Sequence, residues 1–270
     1  PKKIFGREIE GAIERSLSGN TSQTPVSSNS PLQYNPVNVT ANICRTDYIQ
    51  IPQLNLVIAK YAPEWTNNFK WDESHAKVQE QGLLMPSPKV LTTHFMNVKE
   101  SADGNRILLD GNGNSISPNE LRDLWDYLSS TDRTKFNGKS CWTWLDGLFK
   151  EENDKWYLHT NHKINLNANG DIIREPNTNS PVLTTQIFDL ENCLRKDAYV
   201  DLSFNSQGLA KSAFQNDNYS QGNNLYYWHP RNGSVARFGA GSVRAGLGCV
   251  RDPSGSDSAL GVLVCAEGAT

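Results

Sequence analysis

LYYWHPRNGSVARFGAGSVRAGLGCVRDPSGSDSALGVLVC, residues 225–265, is the stretch that decides the fold. Residues 235–238 form a compact strand candidate. Beyond them Ala240, Ser242, Ala245, Leu247, Cys249 and Arg251 recur mostly at every second position. Side chains of an extended chain alternate between two faces, so these residues share one face and hold the backbone in place. Gly239, Gly241, Arg244, Gly246, Gly248, Val250 and Asp252 then point the other way. A face selected for a core would be apolar, and one selected only for solubility would hold more Lys and Glu. Glycines, an arginine, a valine and an aspartate fit a surface that samples many residues on a fixed scaffold. A Gly-rich loop with incidental side chains is the competing account.

Upstream, Ile9, Ile13 and Leu17 stand four apart, the spacing of one helical face. The following SGNTSQTPVSSNSPLQYNPVNVT reads as a linker or arm, so residues 1–41 are expected to carry a helix and a linker, with a globular domain over residues 42–270. Residues 48–59 read as extended chain broken at Pro52. Residues 90–95 are a weaker strand candidate after the turn signals Pro86 and Pro88. Ser117-Pro118-Asn119-Glu120 is a helix-start signature: Ser117 caps, Pro118 occupies the first turn and Glu120 bonds back. Leu121, Leu124, Trp125 and Leu128 form its buried stripe. Strands are expected around Trp142 and Trp144 and over residues 181–188, with a turn at Asn169-Gly170.

The 270 residues, 37% of them hydrophobic and 20% charged, describe a polar but foldable chain. A net charge of −3 with basic clusters no longer than Lys2-Lys3 and Arg195-Lys196 argues against nucleic acid as partner. No apolar run is long enough to span a membrane, and the amphipathic, partly acidic opening is not a signal peptide. Cys44, Cys141, Cys193, Cys249 and Cys265 are widely spread without a CxxC pair, leaving one disulfide between Cys249 and Cys265 or five free thiols as alternatives.

The chemical motifs are few. His159 and His162, with Asp171 nearby, suggest a metal set, but no third ligand follows at a recognised interval, so surface or structural histidines are expected. Asp110-Gly111-Asn112-Gly113-Asn114 alternates oxygen ligands like a calcium loop, yet lacks the later glutamate and reads better as a tight turn. Gly239-Ala240-Gly241 is outside any βαβ unit, and neither Cys193 nor Cys249 has a readable base beside it. The expectation is therefore a protein that is not an enzyme, with no catalytic residues, no cofactor and no metal. A Cys- or metal-dependent enzyme using His159, His162 or Cys249 is the alternative, together with a fixed structural or attachment protein of a virion or cell surface.

Tyr227-Trp228, Gly233, Val235-Ala236-Arg237-Phe238, Ala240, Ser242, Ala245, Leu247, Cys249, Arg251, Pro253-Ser254, Ser256, Ser258-Ala259-Leu260-Gly261-Val262 and Cys265 carry a resemblance. Together they resemble the terminal region of variable proteins made by diversity-generating retroelements. The resemblance is close over some 40 residues, looser over residues 80–265, and does not reach the N-terminal arm. It implies an α+β architecture, the C-type lectin fold of the formylglycine-generating-enzyme-like subclass, with small twisted antiparallel sheets, two or more helices and long loops. It also implies hypervariable ligand binding, with exposed residues diversified by adenine-directed mutagenic retrohoming. Carried onto this chain, the varied, ligand-binding positions are Tyr227, His229, Arg231, Ser234, Gly239, Gly241, Val243, Arg244, Gly246, Gly248, Val250, Asp252, Gly255 and Asp257. The ligand implied is a macromolecule, a protein or surface structure on another cell or particle, with no nucleic acid. Virion or cell-surface display and an archaeal or archaeal-virus source are further expectations, while oligomeric state stays open, a monomer being favoured over the trimers that some members form. The chain departs from the pattern in having glycine at many varied positions, no calcium-and-sugar motif, and no equivalents of the copper-binding cysteines of formylglycine-generating enzymes.

Overall fold

The computed structural model describes residues 3–4, 7–8, 37–39, 41–132, 134–135, 140–169, 171, 173 and 183–268. The chain divides into a unit of residues 1–33 and a unit of residues 34–270. In the first, β1 (Lys3–Ile4) pairs antiparallel with β2 (Arg7–Glu8). The helix expected from Ile9, Ile13 and Leu17 lies outside the described residues apart from positions 4, 7 and 8, which are strand.

The second unit is a mixed α+β fold. The extended stretch around Pro52 becomes β3 (Tyr48–Ile51) and β4 (Leu56–Ala59), which are antiparallel and joined by a 3-10 turn at Pro52–Leu54. Pro52 has no N–H for a ladder, and Asn55 closes the turn in the left-handed region at φ 50°. β12 (Cys265–Glu267) adds to the other side of β4, giving a three-stranded antiparallel sheet ordered β12-β4-β3.

Three α-helices among the described residues follow β4. α1 (Trp71–Glu80) starts where the Lys70 N–H donates to the Glu73 carboxylate, 3.1 Å. α2 (Pro88–Ala102) occupies the stretch expected to be a strand. Ser87 caps it, its Oγ accepting from the Val90 N–H at 3.4 Å, and Leu91, Phe95 and Val98 are buried at i, i+4 and i+7. The poor alternation of residues 90–95 was helical periodicity, and Thr92 Oγ1 donates back to the Pro88 carbonyl one turn earlier, 2.9 Å. α3 (Pro118–Ser129) is the helix foreseen from Ser117-Pro118, and Ser117 Oγ accepts from the Glu120 N–H. Glu120 does not complete the expected capping box; its carboxylate pairs with Lys60 Nζ, 2.5 Å.

The larger sheet contains β5 (Trp142–Glu152), β6 (Lys155–Ile164), β7 (Leu183–Asp189), β8 (Ala198–Val200), β9 (Leu225–Trp228), β10 (Val235–Ala240) and β11 (Ala245–Arg251). Their order is β7-β6-β5-β10-β11-β9-β8, antiparallel throughout except for the parallel pair β11 and β9. β5 contributes to two buried clusters. Cys141, Leu145 and Phe149 pack with Phe95, Leu124 and Phe238, whereas Trp144 packs with Trp71, Val235 and Val262. Each fully buried large apolar side chain stabilises the fold by roughly 1.5–3 kcal/mol, which makes β5 and β10 the rigid centre from which the functional surfaces project.

Candidate functional site

The alternation read in residues 239–251 is present only in part, because Gly246 and Gly248, expected outward, are buried with the rest of residues 245–249. Ala240, Ala245, Leu247 and Cys249 are buried in the core, while Gly239, Gly241 and Arg244 reach solvent. Two members of the expected packing face differ: Ser242 lies exposed in the β10–β11 turn and Arg251 is half-buried.

The ladder sets the layout of the outward face. Gly239 stands opposite Gly246, and Arg237 opposite Gly248. Trp142 of β5 lies beside Gly239, while Tyr226 and Trp228 of β9 lie beside Gly246 and Gly248. Glycines therefore floor a cleft of about 310 Å³ walled by Trp142, Trp228, Arg237 and Arg244. The Arg244 guanidinium lies 3.9 Å from the Tyr226 ring centroid and 5.1 Å from that of Trp228, and Arg237 lies 5.2 Å from Trp142. Such cation–π contacts hold two flexible side chains in place and leave flat aromatic and guanidinium surfaces for a ligand.

The other singled-out residues divide by environment. Val243 is 71% exposed at the turn tip, and Arg231 is also exposed. His229 Nδ1 meets Asp197 Oδ1 at 2.5 Å, with its own N–H on the same oxygen. Desolvation raises the Asp197 carboxyl, but the His229 bonds and the nearby Arg231 outweigh it and hold it below its ordinary value. Asp252 and Asp257 accept turn bonds from the Ser254 and Ala259 N–H groups, Gly255 closes the first turn onto the Asp252 carbonyl, and Val250 is half-buried. Four positions do not face solvent, Gly246 and Gly248 on the cleft floor among them. Tyr227 is completely buried, because it alternates with the half-exposed Tyr226 and Trp228. Ser234 is buried with its hydroxyl on the Arg231 and Cys249 carbonyls.

A second constellation was not read from sequence. Asp146 of β5, His162 of β6 and His75 of α1 are all buried, and one ligand atom from each lies within 4.8 Å of the others. His162 Nδ1 makes a short contact with Asp146 Oδ1, and the His162 N–H donates to Asp146 Oδ2 at 3.0 Å. His75 Nε2 stands 3.8 Å from Asp146 Oδ1, beyond hydrogen-bond reach, and has no hydrogen-bond partner. Trp71 presses edge-on against both imidazoles, with centroid distances of 4.5 and 4.8 Å. Its own N–H donates to the Leu145 carbonyl. Desolvation pushes His75 down to about 4, against the pull of Asp146, so its ring is neutral at pH 7.

This cluster overturns the expectation that the chain is not an enzyme, which rested on the lack of a convergent catalytic or metal-ligating set. His162 is a member of such a set, but its partners are His75 and Asp146 and not His159 or Asp171. The two histidines are not on the surface either: His159 and His162 are both buried, while Asn161 between them is exposed. Local spacing concealed the set because His75 and Asp146 are 71 positions apart in the chain. Two signals pointed to it nonetheless: Trp71, His75 and Val78 follow helical spacing, and Asp146 is a lone charge inside the apolar run WTWLDGLF. A buried carboxylate costs several kcal/mol unless it is paired.

The remaining motifs resolve simply. Asp110 Oδ1 accepts the N–H groups of Asn112 and Asn114, both at 2.9 Å, and Gly113 takes φ 86°, so this loop is a tight turn. All five cysteines are free, including Cys249 and Cys265. Gly170 of the expected Asn169-Gly170 turn lies outside the described residues. No helix among the described residues is long and apolar enough to cross a membrane. No family model, curated protein or solved structure matches this chain.

Proposed function

We propose that the chain is a ligand-binding display protein of the diversity-generating retroelement type. Its C-type lectin fold, of the formylglycine-generating-enzyme-like subclass, presents the β10–β11 face to a macromolecular ligand on another cell or particle. The observation that carries this reading is the coincidence of two sets of residues. Gly239, Gly241, Arg244, Gly246 and Gly248, singled out by their alternation, line the cleft between Trp142 and Trp228, with Gly246 and Gly248 as its buried floor and Gly246 without room for a β-carbon. Aromatic and arginine walls are the residue types that dominate binding energy at protein interfaces. Deep sequencing of the 3′ end of the gene in its source population tests it. Substitutions confined to the outward positions, matching adenines of a nearby template repeat, are expected; a uniform sequence with no template overturns it.

A second reading, a metal-dependent enzyme, is favoured by one observation, the convergence of His75, Asp146 and His162. Metal-assisted hydrolysis uses such donor sets to activate water. It is tested by assaying metal-loaded protein against model ester and phosphoester substrates, with turnover abolished in Asp146→Asn supporting the reading and no turnover in either protein removing it.

A further inference from the structure

We infer that His75 Nε2, Asp146 Oδ1 and His162 Nδ1 hold a divalent transition-metal ion that clamps α1 to the β5–β6 hairpin. This inference concerns a site remote in sequence from residues 225–265 and does not rest on the display reading.

The donor chemistry selects the ion. Two imidazole nitrogens and one carboxylate oxygen suit zinc and its first-row neighbours. Calcium and magnesium require six or more oxygen ligands, which these residues cannot supply. Bonds of about 2.0–2.1 Å in a tetrahedral arrangement place donors roughly 3.3 Å apart. The His75 to Asp146 separation of 3.8 Å is within a rotamer adjustment of that value. The His162 contact with Asp146 opens slightly to admit the ion.

The unsatisfied group argues in the same direction. His75 Nε2 is buried, has no hydrogen-bond partner and faces Asp146. A buried nitrogen left in this way is destabilising, and a metal bond removes that cost.

The scaffold fixes the other two ligands. The β6–β7 register shifts between Thr160 and Lys163, and Asn161 takes φ 53°, so the His162 N–H turns inward onto Asp146. Thr160 Oγ1 donates to the Asp146 carbonyl and the Asp146 N–H donates to the Pro86 carbonyl, which pins the backbone at the carboxylate. Trp71 closes the site from the helix side.

The test uses the full chain, purified without chelator, then stripped and titrated with Zn2+ and Co2+. Elemental analysis is expected to find one equivalent of transition metal in the purified protein. Stripping lowers Tm, Zn2+ restores it, and Co2+ gives the intense visible bands of a four-coordinate site. His75→Gln and Asp146→Asn lose the metal and the Tm response, while His159→Gln keeps both. If a variant does not fold, the wild-type titration alone decides. Wild-type protein that retains no metal, gives no Co2+ spectrum and shows no Tm shift with Zn2+ overturns the inference, as does full metal retention in His75→Gln.

Discussion

Gly246 lies so close to Tyr226 that a β-carbon there would fall 2.5 Å from the Tyr226 carbonyl oxygen, a backbone atom that cannot turn aside. At Gly248 the same atom would meet only side chains of Arg237 and Trp228 at 3.5 Å, an ordinary contact. Two glycines on one strand therefore differ in what they admit. Gly246→Ala is expected to destabilise the protein by about 1–3 kcal/mol through overpacking. Gly248→Ala is expected to stay within about 1 kcal/mol of wild type. Urea denaturation of the two variants checks the contrast, and equal losses would show that the floor of the cleft moves as one piece.

The histidine of α2 makes stability sensitive to acid. His94 is completely buried, neither ring nitrogen has a hydrogen-bond partner, and desolvation pushes it down to about 3. The unfolded chain binds a proton near pH 6.5 that the folded state excludes. The stability contribution is therefore complete above that pH and is lost as pH falls toward 3, by up to about 1.4 kcal/mol per pH unit. His94→Leu is expected to match or exceed wild type at pH 7, with its advantage widening from pH 6.5 to 4.5. Comparing the two proteins cancels other groups, and a pH-independent difference would refute the assignment.

Native thiol reactivity should be confined to one residue. Cys44 is exposed, whereas burial pushes the Cys141, Cys193, Cys249 and Cys265 thiols up and shields them. A chromogenic disulfide reagent should titrate one thiol in native protein and five after denaturation. Fewer than five in denaturant, without reductant, would reveal a disulfide.

The two serine caps give a graded pair. Ser117 Oγ accepts at 3.2 Å and Ser87 Oγ at 3.4 Å. Ser117→Ala is expected to cost about 1 kcal/mol and Ser87→Ala somewhat less. Thermal or urea melts of the single and double variants check the order and their additivity.

What could be read from the sequence depended on how local each cause is. Ser117-Pro118 announced α3 because capping operates within four residues, and Pro52 split β3 from β4 for a similarly local reason. Ser87-Pro88 carries the same start signal, but Pro86 and Pro88 together read as a turn, and the weak alternation of residues 90–95 concealed a helical face. The alternation of Ala240, Ala245, Leu247 and Cys249 was visible because a strand has a period of two. Tyr227 was placed outward although it follows that same alternation inward from Tyr226 and Trp228. His75 and Asp146 were missed because their meeting depends on the docking of α1 onto the sheet, which no window of neighbouring residues contains.

The pairing of β12 with β4 has a temporal consequence. Cys265 lies opposite Ile58 and Glu267 opposite Leu56, so the small sheet joins residues about two hundred positions apart. A ribosome must have released almost the whole domain before β4 gains that neighbour. Until then the strand waits with an open edge, and contacts between such distant residues form slowly. Any stop codon ahead of residue 265 leaves that edge permanently bare, so a truncated chain exposes a strand free to pair with a neighbour.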